Sequence, residues 1–330
     1  MTTYDGIPFK DLETKGFVHI PGFLATDELQ TCREDFEQQP LAKNRNYGVS
    51  VVSDRALARL KDRVDAIMAL VRTGTNLRVD CSLGGGYFAT GRGISFAWHQ
   101  DYESFFSAQN HYDYLNFYIP VIKPQRDKSN LTVVPFDDLE RESPATFRRV
   151  VRGGATRFVV VGDKLIAVAE DAGTAHVMQA DIERLAHTPL LEAGDLLLMR
   201  GDVIHRTQDT DTERVSLSLR VASTKTVIRR SRLADGPLAK ARTMVNNPPM
   251  YEPIFRAFED TGKSELEIGE LMAWWAAKSA TVKASDPKGF FRYLLMQKIR
   301  TGVVFSSLRK TVSTTLPVRL YQLSHRQASH

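Results

Sequence analysis

The chain has 330 residues, with 44 Lys+Arg against 39 Asp+Glu, and is 42% hydrophobic and 25% charged. These fractions are ordinary for a globular protein and exclude collagen-like, disordered and disulfide-scaffold classes. No apolar run approaches the roughly 18 residues that cross a bilayer. The opening MTTYDGIPFKDLETKG lacks the apolar stretch of a secretory signal, so a cytoplasmic protein is expected. Cys32 and Cys81 are too few for a zinc cluster, and a disulfide is not expected in a reducing compartment.

The elements follow in chain order. Gly16–Leu24, GFVHIPGFL, reads as a short strand ending in a turn. Thr26 offers an N-cap with Asp27 and Glu28 in the first turn, and that helix ends before Pro40. Ser53 caps a second helix, whose Leu57, Leu60, Val64, Ile67, Met68 and Val71 share one face. From Leu77 the texture becomes strands: LRVDCSL, YFAT, LNFYIPVI, LTVVP, TRFVVV, LIAVAE, DLLLMR and VSLSLRV. Gly162-Asp163-Lys164 marks a hairpin, and Gly84-Gly85-Gly86 reads as a flexible turn or lid hinge. Eight short strands without strand–helix alternation predict a sandwich or jelly roll.

After Ser223 the chain reads as helical, with a capping box at Ser264–Glu267 and an amphipathic helix over Phe290–Arg300. Residues 226–330 hold 17 basic and 8 acidic side chains, and the remainder holds 27 and 31. From Pro287 to His330 there are eight basic residues and no acidic one. Such a stretch suits an anionic partner. It also carries Phe290, Phe291, Tyr293, Leu294, Leu295, Met296 and Ile299, and a disordered basic arm is poor in such residues. It is therefore expected to pack on the core or form a homo-oligomer interface, and a nucleic-acid partner is not expected.

Two segments carry chemistry. WHQDYE places His99 and Asp101 two residues apart, on one face if the segment is extended. GDLLLMRGDVIHRTQD places His205 just after a buried-looking strand. Two histidines and a carboxylate leave half of an octahedral ion open, as non-haem Fe(II) oxygenases require. His111-Tyr112-Asp113 is a second H-x-D. It sits at the polar entrance of a strand and is the less favoured pair. Arg214 follows His205 by nine residues, with Ser216 on the same strand face. A guanidinium there suits a dicarboxylate co-substrate. Arg220, on the same face, is the alternative anchor. Asn116 is polar in an apolar strand and is a candidate for the co-substrate's metal end. Tyr102 and Glu103 are candidates to face substrate.

Four stretches in order resemble the Fe(II)/2-oxoglutarate-dependent dioxygenases, specifically the phytanoyl-CoA dioxygenase-like family. They are GFVHIPGFLATDEL, WHQD, KSNLTVVPFDDL and GDLLLMRGDVIHRTQDTDTERVSLSLR. The resemblance covers roughly Gly16 to Val221. It departs at Phe136-Asp137-Asp138, at an insertion over 141–190, and over the C-terminal hundred residues. It implies a double-stranded β-helix core (jelly roll, cupin-like) with flanking helices. It also implies Fe(II), 2-oxoglutarate and O2 at His99, Asp101 and His205, with succinate and CO2 as co-products. Expected on this reading are a dioxygenase domain over 1–225 and a helical extension over 226–330. The expected reaction is hydroxylation, desaturation or cyclisation at an unactivated C–H of a small biosynthetic or amino-acid-like molecule. Asp101 at the carboxylate position argues against halogenation. A macromolecule-modifying oxygenase and a non-catalytic cupin-like binding protein are the alternatives.

Overall fold

A computed structural model describes residue 4 and residues 6–43, 48–91, 96–151, 153–154, 157–169, 174–208, 212–279, 281 and 286–300. The chain opens with α1 (Asp11–Thr14), β1 (Phe17–Ile20) and α2 (Thr26–Gln38). β2 (Ala42–Lys43), β3 (Gly48–Val51), α3 (Asp54–Gly74) and β4 (Cys81–Thr90) follow. Next are α4 (Tyr102–Phe106), β5 (Tyr114–Ile122), β6 (Leu131–Val133), α5 (Phe136–Glu142) and α6 (Pro144–Val150). The middle holds β7 (Arg157–Val161), β8 (Lys164–Ala169), β9 (Thr174–Val177) and α7 (Ile182–Leu185). β10 (Leu196–Arg200), β11 (His205–Thr207), β12 (Arg214–Ala222) and β13 (Val227–Arg229) lead to the C-terminal part. That part comprises α8 (Arg230–Ala234), α9 (Leu238–Asn246), α10 (Pro248–Thr261), β14 (Glu265–Glu267), α11 (Ile268–Lys278) and α12 (Pro287–Arg300).

These elements form two compact units. One comprises Met1–His99, His111–Pro144 and Asp181–Ser223, and the other Gln100–Asn110, Ala145–Ala180 and Thr224–His330. The second unit thus joins the C-terminal part to two inner segments.

The first unit is built on a seven-stranded sheet ordered β1-β10-β5-β12-β4-β3-β2, antiparallel at every pairing. A smaller ladder pairs β11 with β6, extended by single bridges from His205 to His99 and from Val133 to His187. Along the chain, β4 lies in the large sheet, His99 in the small ladder and β5 in the large sheet. β6 and His187 are in the small ladder, β10 in the large sheet, β11 in the small ladder and β12 in the large sheet.

Side-chain alternation decides what each face of the large sheet does. Val18, Leu115, Phe117, Ile119, Leu198, Leu217 and Leu219 point one way and pack with Leu60, Val64, Ile67, Met68 and Val71 of α3. Each such fully buried side chain contributes about 1.5–3 kcal/mol. The other face carries Asn116, Tyr118, Arg214, Ser216 and Ser218, all buried. A ring stack between Phe17 of β1 and His187, centroids 5.9 Å apart, joins that face to the small ladder.

The sequence placed most elements but missed three local features. The expected cap at Thr26 falls on Ala25, whose N–H donates to Glu28 Oε2 at 2.8 Å. The expected capping box at Ser264–Glu267 is instead β14, drawn into pairing with β13, so α11 begins at Ile268. Gly84–Gly86 is no turn but lies inside β4. A Cβ on Gly85 would stand 2.5 Å from the Ser218 carbonyl oxygen, so the two strands approach only over glycine. Gly84, at φ +93°, lies where the β12 register slips between Arg220 and Val221. Ser53 does cap α3, accepting from the Ala56 N–H at 3.2 Å. Gly162, at φ +62°, turns the β7–β8 hairpin.

In the second unit, β7, β8 and β9 form a separate three-stranded sheet. α10 buries Tyr251, Phe255 and Phe258, and α12 adds Phe290 and Leu294. Phe255 and Phe290 meet edge to face at 6.1 Å. The part of the basic tail beyond Arg300 lies outside the described residues. Cys32 and Cys81 are free and buried, and burial pushes both thiols up to about 11.

Glu13 links α1 to the start of β5. It accepts from Asn76 Nδ2 at 2.9 Å and Tyr112 Oη at 2.9 Å, and pairs with Lys10. Burial alone would raise its carboxyl. The Lys10, Asn76 and Tyr112 bonds outweigh it and lower the group from 4.5 to about 2. A depressed carboxyl stabilises the fold fully above its unfolded value and loses that stabilisation as pH falls through the folded one. Acid unfolding of Glu13→Gln, followed by circular dichroism, should therefore show a shallower loss of stability between pH 4.5 and 2 than the parent chain. An unchanged slope would assign that acid sensitivity elsewhere.

Candidate metal centre

The antiparallel bridge between residues 99 and 205 puts two imidazoles side by side. His99 N–H donates to His205 O and His205 N–H to His99 O, each at 2.9 Å. The ring centroids are 4.2 Å apart. Each ring is also fixed by its own chain. His99 Nδ1 lies 2.7 Å from Ala97 O, and His205 Nδ1 lies 3.0 Å from Val203 O. A carbonyl only accepts, so both Nδ1 atoms carry the proton and Nε2 is the lone-pair nitrogen each ring presents. This is the backbone anchoring that orients metal-ligating histidines.

Asp101 completes the group. One ligand atom from each of His99, Asp101 and His205 lies within 4.8 Å of the others. Asp101 occupies the N-cap of α4, yet its side chain makes no capping bond there. Its backbone carbonyl accepts from Ser104 Oγ at 2.8 Å. The donor set, two imidazole nitrogens and one carboxylate, suits a divalent first-row metal with open positions. These three residues could hold such an ion, so the chemistry of the set fits the metal that the resemblance implies.

The competing motif is engaged elsewhere. His111 Nε2 faces Asp202 at 3.8 Å, and Asp113 Oδ1 accepts from the Arg78 N–H at 2.7 Å. Asp202 is itself held by Arg200 through two bonds of 3.0 and 2.6 Å, while the Arg200 guanidinium covers the Tyr112 and Phe136 rings. This buried pair fastens the turn between β10 and β11, three residues before His205.

The polar face of the large sheet holds the other expected residues. Arg214, 5% exposed, donates from Nη1 to Ser129 O at 2.6 Å, and its Nε has no hydrogen-bond partner among the described residues. Its register partner is Thr90, whose buried Oγ1 is likewise unpartnered among them. Ser216 lies two residues along on the same face. Asn116 sits elsewhere, opposite Arg220 in register, where its Oδ1 accepts from Ser218 Oγ at 2.7 Å and Arg220 Nη1 at 2.9 Å. Arg220 is six residues from Arg214, roughly 20 Å along an extended strand. Arg214 and Ser216 therefore belong to one end of the strand, and Asn116 to the other.

Three contributors to this face escaped the sequence reading. Tyr118 Oη is buried without a partner among the described residues. Tyr118 shares the face with Asn116 two residues away, a signal visible in LNFYIPVI. Thr90 is the second. Lys123 is the third, with Nζ donating to the carbonyls of Gln125 at 2.6 Å and Arg126 at 3.0 Å, and also to that of Lys128. Burial first, and then the Arg214 charge, push Lys123 down to about 8. Two cations thus lie close together beside the Ser129–Asn130 turn. Ser129 holds φ +57°, a conformation rare for a side chain other than glycine's. No sequence pattern announced that turn.

No family model matches the sequence, and no curated protein matches it. Among solved structures, the chain is similar to the non-haem alpha-ketoglutarate-dependent epimerase SnoN from nogalamycin biosynthesis. The two share 13% identity and a TM-score of 0.47, over 67% of this chain and 84% of that one. HygX from Streptomyces hygroscopicus, with nickel and 2-oxoglutarate bound, gives 17% identity and a TM-score of 0.45 over 68% and 88%. A Pseudomonas putida prolyl-4-hydroxylase gives 14% and 0.41 over 66% and 97%. At these identities and scores the likeness assigns neither reaction nor substrate to this chain.

Proposed function

We propose that this chain is an Fe(II)- and 2-oxoglutarate-dependent oxygenase acting on a small molecule, in a double-stranded β-helix core. The observation that carries the reading is the bridged pair His99 and His205 with Asp101 beside them. The passage of successive strands between two antiparallel ladders supports the jelly-roll core. Buried polar atoms on the neighbouring sheet face supply a second argument. A buried donor without a partner costs about 1–3 kcal/mol, so Arg214 Nε, Thr90 Oγ1 and Tyr118 Oη ask for a polar ligand.

His99, Asp101 and His205 would hold Fe(II), which when bound would supply, with 2-oxoglutarate and O2, the chemistry for oxidising a substrate C–H, with succinate and CO2 as co-products. The protein's part is binding and orientation. The Nδ1 bonds to Ala97 O and Val203 O fix both rings and leave Nε2 as the nitrogen aimed at the ion. Arg214 takes the distal carboxylate through the guanidinium edge not spent on Ser129, with Ser216 and Thr90 as hydroxyl partners. Lys123 adds positive potential at the same end. Asn116, aligned by Ser218 and Arg220, lines the other end of the face. Burial of this face excludes bulk water and strengthens each polar contact.

The test is succinate formation by the purified chain, offered pools of small molecules with Fe(II), 2-oxoglutarate and O2. Succinate that depends on all three and on one pool supports an oxygenase. Bound iron with no turnover on any pool favours a macromolecular substrate. Neither iron binding nor turnover would leave a cupin-like binding protein.

A further inference from the structure

The segment that carries Asp101, residues 100–110, is fastened to the C-terminal part of its own unit. Gln109 is the centre of the fastening. Its amide pairs with the Arg229 backbone as a strand would, Nε2 donating to Arg229 O at 3.0 Å and Oε1 accepting from Arg229 N at 2.9 Å. Arg232 Nη1 donates to the Gln109 carbonyl at 3.2 Å. Gln109 is 8% exposed and holds φ +56°, one of two described non-glycine residues with positive φ. A side chain in that region persists only where its surroundings over-determine it.

Other bonds run in parallel along the segment. Asn247 Nδ2 donates to Tyr102 Oη at 3.4 Å, and Asn110 Nδ2 to Thr226 Oγ1 at 3.4 Å. Lys240, almost wholly buried, lies over the Phe106 ring at 5.3 Å and donates to Arg232 O at 2.7 Å. Gln100, adjacent to Asp101 and fully buried, donates to Val150 O at 3.3 Å. Both ends of the segment are therefore gripped. A metal ligand on a short loop gains its precision from such support.

We propose that Gln109 is a positioning residue. Together with Arg232 it ties the 100–110 segment to the C-terminal part and so sets the place of Asp101 as a metal ligand. This rests on the metal reading above.

The test uses the full chain and Co(II) as probe, following binding affinity and the visible absorption that reports cobalt coordination. Gln109→Asn tolerates positive φ but is too short to span the Arg229 N–H and carbonyl. It should weaken Co(II) binding about ten- to a hundredfold, the usual range for lost outer partners of a ligand, and alter the absorption. Arg232→Ala should do the same, with Arg232→Lys closer to the parent. Ile166→Val, in the β7–β8–β9 sheet, should lower thermal stability with affinity and spectrum unchanged. Parental Co(II) affinity and spectrum in Gln109→Asn and Arg232→Ala would overturn the proposal. So would an equal loss in Ile166→Val. His205→Ala separates the two claims: if it binds Co(II) like the parent, the metal reading itself fails. If it loses the metal while Gln109→Asn does not, only the positioning role fails.

Discussion

Arg214→Ala is expected to raise the 2-oxoglutarate concentration for half-maximal turnover a hundredfold or more, and Arg220→Ala far less. Removing one partner of a buried, hydrogen-bonded charge pair costs on the order of 2–5 kcal/mol, and each 1.4 kcal/mol is about tenfold. Arg214 is 5% exposed and keeps its Nε unpartnered among the described residues, with Ser216 and Thr90 alongside. Arg220 is only half-buried and already donates to Asn116. Arg214→Lys keeps the charge but loses the planar fork, so it should fall between parent and Ala. Equal or reversed effects would move the anchor to Arg220.

The second large effect concerns the ligands. His99→Ala, Asp101→Ala and His205→Ala should each abolish Fe(II)-dependent turnover and leave the circular dichroism spectrum of the folded chain. On the proposed reading each residue would supply one of three donors, and two donors would leave the open face of the ion undefined. His111→Ala should retain turnover, because His111 faces Asp202. Full activity in folded His99→Ala, with loss in His111→Ala, would show that the other H-x-D binds the metal.

Much of the large sheet was legible because its strands are long apolar runs bounded by turn residues. LNFYIPVI, DLLLMR and VSLSLRV carry their period in their own composition, and α3 shows its buried face at helical spacing. β11 and β9 were not legible. Three- and four-residue strands hold too little pattern, and HRT becomes a strand only because Val133 and its neighbours pair with it. The glycine run in β4 misled for the opposite reason. Its local signal is a turn, and only the Ser218 carbonyl across the sheet shows why side chains are excluded.

For the site, H-x-D and the distal histidine were readable as ligand types at suggestive spacing. Their union was not, since the 99–205 bridge spans more than a hundred residues. Asn116 is a polar interruption visible in LNFYIPVI, but its bond to Arg220 depends on strand register that composition cannot supply. Tyr118 and Thr90 do not stand out in the sequence, because tyrosine and threonine are ordinary in strands. The division of the chain, with 100–110 and 145–180 joined to the C-terminal part, left no compositional trace.

The most direct measurement is calorimetric titration of 2-oxoglutarate, under anaerobic conditions, into the metal-free chain, the Fe(II)-loaded chain and His205→Ala supplied with Fe(II). A co-substrate held at one end by Arg214 and at the other by a metal on His99, Asp101 and His205 should bind tightly only to the Fe(II)-loaded parent. The metal-free chain and His205→Ala should bind it weakly or not at all. Equal binding in all three, or no uptake of iron by the parent, would contradict the account.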